Sequence, residues 1–219
     1  MARLVCLANS IRHDGRCVAG IDLDTGEWVR PVPAKGGCGL SYSDVCINGQ
    51  PVALLDVIEI DLTTRNPGTK YQCENRVMKA KPWKQVGRLK PSALLKFCDD
   101  TSPILHSTTD RVEPTDLDAL SPNDWVSLRL IRPPKVEFAR DYYKRSRWRA
   151  SFRDAKKHDY QLKVTDPVVS GRLNHDEEVG SDCILTVSMT EPWAPDSAKP
   201  AMCWKLIAAV IELQNPKEA

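Results

Sequence analysis

Apolar and polar residues alternate with period two along much of the chain, which is the pattern of β-strands with one buried face. In residues 54–62, the apolar residues Ile58, Ile60 and Leu62 alternate with neighbouring positions that include Glu59 and Asp61. Further strands are predicted, from alternation or from short apolar runs, at residues 4–8, 16–22, 27–32, 71–78, 126–131, 147–153, 158–165, 183–189 and 204–213. The pattern therefore predicts a protein built mainly from β-strands.

Turn and helix signals complete the predicted fold. The sequence Asp24-Thr25-Gly26 separates two strand-like runs and predicts a hairpin. Short helices are predicted at residues 91–97 and 114–120, where a proline stands in the first turn. Many short strands with few helices are typical of small barrels. We expect an all-β protein with minor helices, divided into domains 1–115 and 116–219.

Composition agrees with a folded, cytoplasmic protein. The chain has 219 residues, of which 42% are hydrophobic and 27% charged, and this is a globular composition. Its longest apolar run, 206–211, is far shorter than a membrane helix, and residues 1–9 do not resemble a signal peptide. The eight cysteines include no C-x-x-C pair, so we do not expect a zinc site. Because no secretion signal and no long apolar run are recognisable, we also expect no disulfides and no membrane contact.

The basic residues are concentrated in one segment. The formal net charge is +2, but residues 129–157 carry eleven Lys or Arg against three acidic residues. Such a segment has the charge that phosphate binding requires. Within it we expect nucleic-acid contacts from one set of residues: Arg140, Tyr142, Tyr143, Lys144, Arg145, Arg147, Arg149, Arg153, Lys156 and Lys157.

Strand geometry sorts the members of this basic segment. Alternate side chains of a strand point to opposite faces, so Arg147, Arg149 and Arg153 are expected on one face, while Trp148 and Phe152 fill the core. Tyr142 and Tyr143 precede the strand and are the candidates for base stacking. The alternative is an ordinary solvated face whose arginines pair with the acidic residues of 174–182.

Catalytic motifs are not recognisable in the sequence. It contains no nucleophile elbow, P-loop, dinucleotide-binding glycine motif or H-E-x-x-H metal motif. We therefore predict no catalytic residue, no metal and no cofactor. A cysteine paired in space with a histidine stays open, because such partners are not adjacent in sequence.

Eight short stretches, taken together in their order, resemble the prokaryotic dual OB-containing domain family. They are CLANS at 6–10, GRCVAG at 15–20, GEWVRPV at 26–32, LLDVIEI at 54–60, QCEN at 72–75, VGRL at 86–89, DYQLKVTDPV at 159–168 and WKLIAAVI at 204–211. The resemblance spans nearly the whole chain. It implies two tandem OB-like barrels and recognition of nucleic acid or nucleotides, although fold alone does not establish function.

Polar residues within these stretches form a second candidate site, a ligand pocket on an OB sheet face. Its expected members are Asn9, Ser10, Arg12, Arg30, Glu74, Asn75, Thr165, Asp166 and Lys205. The alternative assigns them structural roles, with Asn9, Ser10 and Asp166 as turn formers and Arg30 paired with Glu74.

Three functions follow from these features. We predict a non-catalytic module that binds single-stranded nucleic acid through a basic OB-type groove. The first alternative is a small-nucleotide sensor, or a partner module for an effector enzyme encoded beside it. The second alternative is a cysteine-dependent hydrolase or transferase.

Overall fold

The computed structural model describes residues 1–12, 15–34, 39–64, 69–194, 196–197 and 199–213, apart from the side chain of Arg12. Two compact units make up the chain. The first unit contains residues 1–69 and 73–94, and the second contains residues 70–72 and 95–219. The expected boundary near residue 115 lies inside the second unit, because Ile104, Leu105 and Val112 belong to that unit's hydrophobic core.

A six-stranded sheet forms the first unit, in the order β7-β3-β2-β1-β6-β8. Its strands are β1 (Ala2–Arg12), β2 (Gly15–Asp22), β3 (Trp28–Val32), β6 (Asp56–Ile60), β7 (Asn75–Val77) and β8 (Lys84–Arg88). Between β3 and β6 lie a 3-10 helix (Ser43–Val45) and a small hairpin of β4 (Cys46–Ile47) and β5 (Gln50–Pro51). The predicted hairpin over residues 16–32 is confirmed as β2 and β3.

Five of these strands close into a barrel. The strand β1 pairs with β2 along most of its length and with β6 at its beginning, while β3 and β7 pair in parallel. A bridge between Leu62 and Met78 joins the ends of β6 and β7, supported by hydrogen bonds from Thr63 N to Val77 O (2.8 Å) and from Lys79 N to Asp61 O (2.9 Å). The order 1-2-3-5-4, with strands 3 and 5 parallel, is that of an OB barrel, and β8 lies beside it as a sixth strand.

The second unit repeats this topology. It contains β9 (Arg111–Val112), β10 (Leu128–Ile131), β11 (Glu137–Arg140), β12 (Trp148–Arg153), β13 (Asp159–Val164), β14 (Cys183–Trp193) and β15 (Met202–Glu212). Its helical segments are α1 (Pro114–Asp118), α2 (Pro167–Asn174) and 3-10 helices at Ile104–His106 and Pro122–Asp124. A further 3-10 helix, Pro91–Phe97, begins in the first unit and ends in the second. The strand order is β10-β14-β15-β13-β12-β11, and β9 pairs with β15.

The first strand of this second barrel is interrupted and consists of two segments, β10 and β11. Prolines 133 and 134 separate β10 from β11 because proline supplies no backbone N–H to a ladder. The strand β10 then pairs with β14, β11 pairs with β12, and a hydrogen bond from Val136 N to Ser181 O (3.1 Å) lies between them. Since β13 and β15 are parallel, the order is again that of an OB barrel.

Helix α2 lies between the third and fourth strands of the second barrel, where an OB barrel has its helix. Asp166 caps its first turn by accepting hydrogen bonds from Val168 N (2.9 Å) and Val169 N (3.1 Å). Val169 and Leu173 on its inner face belong to the hydrophobic core. A polar cap, a proline at the first helical position and two apolar residues four apart explain why this segment is helical.

The two barrels have separate hydrophobic cores. The first is built around Leu4, Val18, Ile58 and Trp83. The second is larger, and Phe152 and Tyr160 stack within it at a centroid distance of 5.6 Å. The structure therefore shows an all-β protein of two OB-like barrels with minor helices.

Candidate nucleic-acid interface

The loop between β11 and β12, residues 141–147, is built around one buried carboxylate. Asp141 Oδ1 accepts hydrogen bonds from Tyr143 N (2.9 Å) and Lys144 N (3.0 Å). Its Oδ2 accepts from Arg149 Nε at 2.6 Å, and this guanidinium holds the pKa of Asp141 below its usual value. A buried aspartate therefore fixes the backbone of the loop and leaves the following side chains outside.

Two tyrosines follow Asp141 and are almost fully exposed. Tyr142 is 84% exposed and Tyr143 is 89% exposed, and their rings meet edge to face at a centroid distance of 5.1 Å. Adjacent exposed apolar groups of this kind can mark a binding surface. The loop thus offers two ring faces to a ligand.

Three cations share this loop with the tyrosines. The side chains of Lys144, Arg145 and Arg147 are exposed, and none has an ion-pair partner among the described residues. The half-buried Lys163 on β13 lies close to two of these cations, Arg147 and Lys144. Its pKa is lowered first by burial and then by the positive charges of Arg147, Lys144 and Arg149. The loop and the adjoining part of β13 therefore form an uncompensated positive cluster.

Arg140 lies at the base of the loop and stacks on an aromatic ring. Its guanidinium carbon is 4.1 Å from the ring centroid of Trp148, directly opposite in the β11–β12 register. Both side chains also donate to Asn174 Oδ1, Arg140 Nη1 at 2.8 Å and Trp148 Nε1 at 2.9 Å. Arg140 therefore supports the loop while keeping its own charge.

The expected row of three strand arginines is only partly present. Arg147 precedes β12, which begins at Trp148. Arg149 pairs with Asp141, and Arg153 pairs with Asp159 at 2.7 Å. Carboxylates of the β11–β12 loop and of β13 thus neutralise two of the three arginines. The expected core position of Phe152 is confirmed, and Trp148 packs against the same core.

Lys156 and Lys157 lie in the turn at the other end of β12. Asp154 builds this turn by accepting hydrogen bonds from Lys156 N (3.0 Å) and His158 N (2.9 Å). Since β12 has six residues, the turn lies about 20 Å from the β11–β12 loop. The ten residues expected to form one interface therefore fall into two groups.

The pocket residues expected in the first barrel include a buried polar cluster. Arg30 on β3 donates from Nη1 to Asn75 Oδ1 at 3.1 Å and lies 3.7 Å from Glu74 Oε1, while Asn75 Nδ2 donates to Thr69 Oγ1 at 2.7 Å. The side chains of Arg30, Glu74 and Asn75 are at most 6% exposed. They link the parallel strands β3 and β7 from within.

The other first-barrel candidates lie on β1. Asn9 Nδ2 donates to Val52 O at 2.7 Å, and Ser10 is buried. The side chain of Arg12 lies outside the described residues. Asn9 therefore ties β1 to the segment before β6.

The pocket residues expected in the second barrel are also bound internally. Besides capping α2, Asp166 accepts a hydrogen bond from Val210 N at 3.0 Å, and burial raises its pKa. Thr165 donates to Ile207 O through its N–H (2.8 Å) and its hydroxyl (3.0 Å). These two residues join β13 to β15, so the nine expected pocket residues are divided between the two units.

Lys205 is the third of these residues and is 3% exposed. Its Nζ donates to Ile104 O (2.6 Å), Ser107 O (2.5 Å) and Ser107 Oγ (2.8 Å). Burial lowers its pKa to about 7, against the attraction of Asp110. The ammonium group therefore anchors the 104–107 segment to β15.

Thiol chemistry receives little support from the described cysteines. Burial raises the pKa of Cys73, takes that of Cys98 and Cys203 to about 11 and takes that of Cys183 to about 12. A nucleophilic cysteine needs the opposite shift. The part of the chain that the structure describes contains no cluster of three or more potential metal ligands, and none of its helices is long and apolar enough to cross a membrane.

The topology and this surface define the class of protein, a pair of OB-type barrels with a basic aromatic loop on the second. The chain matches the family model of the dual OB-containing domain over residues 2–210, and it belongs to that family. Neither a curated protein nor a solved structure gives a significant match.

Two residues of this surface were not among the sequence candidates. Lys163 lies opposite Arg149 in the β12–β13 register. The alternation of apolar and polar residues in β13 would have placed the Lys163 side chain on the same face as Arg149. Asn174 is the last residue of α2, and nothing in its neighbourhood in the sequence indicates that it contacts Arg140 and Trp148.

Proposed function

We propose that this protein binds single-stranded nucleic acid through the β11–β12 loop and the adjoining outer face of β12 and β13. The observation that carries the proposal is the combination of two exposed tyrosines with Lys144, Arg145 and Arg147, whose charges no described carboxylate neutralises.

The position of the loop in the fold supports this proposal. OB barrels bind oligonucleotides on the face of strands 2 and 3, bordered by the loop between strands 1 and 2. In the second barrel these elements are β12, β13 and residues 141–147. The uncompensated charge thus lies where this fold usually binds its ligand.

The chemistry of the loop suits a single strand. Lys144, Arg145 and Arg147 would neutralise phosphates and release condensed counterions. Tyr142 and Tyr143 present faces on which unpaired bases stack, and each such contact contributes about 1–3 kcal/mol in proteins of this kind. Double-stranded nucleic acid keeps its bases stacked internally, so the tyrosines favour unpaired bases.

Fluorescence anisotropy with a labelled single-stranded oligonucleotide at increasing salt tests the proposal. We expect log affinity to fall linearly with log salt, by about 0.7 per phosphate contact. The paired substitution Lys144→Gln/Arg145→Gln should reduce both the affinity and this slope. The matched control is Lys156→Gln/Lys157→Gln, which removes two charges that are also exposed from the distant turn and should leave the slope nearly unchanged.

Two results would count against the proposal. The first is no detectable binding at low salt. The second is an equal loss of slope in both variants, which would show that net charge matters and the loop does not.

The nucleotide-sensor alternative receives less support. Its expected pocket centres on Arg30, Glu74 and Asn75, and these buried side chains make internal contacts that join β3 to β7. The partner-module alternative stays a prediction from the sequence.

A further inference from the structure

The strand β8 forms an open edge of the sheet in the first unit. It is the last strand in the order β7-β3-β2-β1-β6-β8 and pairs with β6 alone. Within the described part of the chain, no other residue hydrogen-bonds the backbone of Lys84–Arg88. One row of its N–H and C=O groups therefore faces outward, as at any sheet edge.

This edge is exposed along its whole length and is held in the extended conformation. All five residues are exposed, including Val86 at 48%. Trp83, which precedes the strand, is 3% exposed in the core. After the strand, Leu89 N donates to Leu55 O at 2.9 Å. An incoming strand would meet a template fixed at both ends.

The edge is also strongly basic. Residues 79–90 contain five Lys or Arg and no acidic residue. Two of the five are neutralised by carboxylates in or directly after β6, Lys81 by Asp61 (2.5 Å) and Arg88 by Asp56 (2.6 Å). Lys84 and Lys90 are exposed and have no ion-pair partner among the described residues.

We propose that β8 binds an extended acidic segment of a partner protein, which adds to the sheet as a further strand. Backbone groups of the edge would pair with the incoming strand, and its Asp or Glu side chains would pair with the unmatched lysines. Strand addition by a second copy of this chain is disfavoured, because residues 79–90 of that copy offer no acidic residue to pair with the unmatched Lys84 and Lys90.

Charge complementarity and the free backbone edge favour a peptide over a nucleic acid. A phosphate backbone would satisfy the lysines, but it would leave the row of outward N–H and C=O groups unused. No exposed tyrosine, phenylalanine or tryptophan lies in residues 79–90 to stack a base. This inference concerns the first barrel and is independent of the function proposed for the second.

Anisotropy with a labelled decapeptide of alternating Glu and Val tests the inference in the full-length protein. We expect this peptide to bind, and its Lys–Val counterpart to fail. A third peptide with the Glu–Val sequence and an N-methyl group on every residue should also fail, because methylation removes the N–H donors of both strand edges and keeps the charge. The charge-reversing variant Lys84→Glu/Lys90→Glu should weaken binding about tenfold. The matched control is Lys156→Glu/Lys157→Glu in the second barrel, which should bind as the wild type does.

Each contrary result overturns the inference in a distinct way. Equal binding of the N-methylated peptide would show charge attraction without strand addition. Equal weakening in both variants would place the peptide elsewhere, and absence of Glu–Val binding would remove the site. Loss of oligonucleotide binding in the Lys84→Glu/Lys90→Glu variant, with the peptide unaffected, would assign the edge to nucleic acid. The Lys144→Gln/Arg145→Gln test of the β11–β12 loop is made on the other barrel, so the peptide results alone leave it unchanged.

Discussion

The two turns at the ends of β12 are built alike and differ in what they expose. In each, a buried aspartate accepts backbone N–H groups of the following residues, Asp141 at one end and Asp154 at the other. Both turns carry exposed cations. At the Asp141 end these stand with two exposed tyrosines and near Lys163, whereas the Asp154 end exposes lysines without an aromatic residue.

The two aspartates also differ in which segments their hydrogen bonds connect. Asp154 Oδ2 accepts hydrogen bonds from Ser102 Oγ (2.6 Å) and Tyr160 OH (3.4 Å) and contacts His158 Nδ1 at 2.9 Å. It therefore joins the β12–β13 hairpin to the segment around Ser102. Asp141 serves its own hairpin alone. The Asp154 turn is therefore a structural junction, whereas the Asp141 turn has side chains available to bind a ligand.

Removal of the Asp154 carboxylate should give the largest effect. The substitution Asp154→Ala leaves the donors of Ser102, Lys156 and His158 without their acceptor, and hydrogen bonds to a charged group are worth about 1.5–3 kcal/mol each. We expect the free energy of unfolding to fall by about 3 kcal/mol or more, measured by urea denaturation. A loss below about 1 kcal/mol would contradict the junction role.

The pH dependence of stability also tests the structural role of the Asp154 carboxylate. Hydrogen bonds from Ser102 and His158 lower the pKa of Asp154 from 3.8 to about 2, against the effect of its burial. Because the folded-state pKa is the lower one, the stabilisation is complete above pH 3.8 and is lost as the pH falls towards 2. Unfolding curves of the wild type and of Asp154→Asn should therefore converge across this window, and a constant difference would contradict the assignment.

The tyrosine pair tests the other turn. Replacing both rings in Tyr142→Ala/Tyr143→Ala should weaken oligonucleotide binding by about tenfold or more, since stacking contributes about 1–3 kcal/mol per base. The free energy of unfolding should stay within about 0.5 kcal/mol, because both side chains lie outside the core. The control Tyr142→Phe/Tyr143→Phe keeps the rings and should keep the affinity. Equal weakening in both variants would show that the hydroxyl groups, and not the rings, make the contact.

A pair of arginine variants tests the smallest predicted difference. Arg149 pairs with the buried Asp141, so Arg149→Gln should lower the free energy of unfolding by about 1 kcal/mol. Arg147 has no described ion-pair partner, and Arg147→Gln should change it by less than about 0.5 kcal/mol. Binding should show the reverse order, with Arg147→Gln the weaker binder. The same order in both measurements would contradict the division between paired and unpaired arginines.

Most of the fold could be predicted from the sequence because strands with one buried face alternate visibly, as in β12 and β13. The strands β8 and β11 were missed for the opposite reason. None of their residues is fully buried, so edge strands carry little alternation. Helix α2 was missed because its apolar residues are few, although Asp166-Pro167 is a start signal in hindsight.

The candidate site was predictable only in part. Charge density located the segment that contains Lys144, Arg145 and Arg147. It could not show that Arg149 and Arg153 are neutralised, because their partners Asp141 and Asp159 come from turns and strand ends whose side-chain directions the sequence does not fix. The polar motif residues Arg30, Asp166 and Lys205 looked equally suitable for a ligand, and only the three-dimensional contacts show what they bind.

Photo-crosslinking tests the central claim most directly. A single-stranded oligonucleotide containing 5-iodouracil is irradiated with the protein, and the crosslinked tryptic peptides are identified by mass spectrometry. We predict that the crosslink falls on residues 141–144, the peptide that carries Tyr142 and Tyr143. Crosslinks confined to other peptides, with this one unmodified, would contradict binding at the β11–β12 loop.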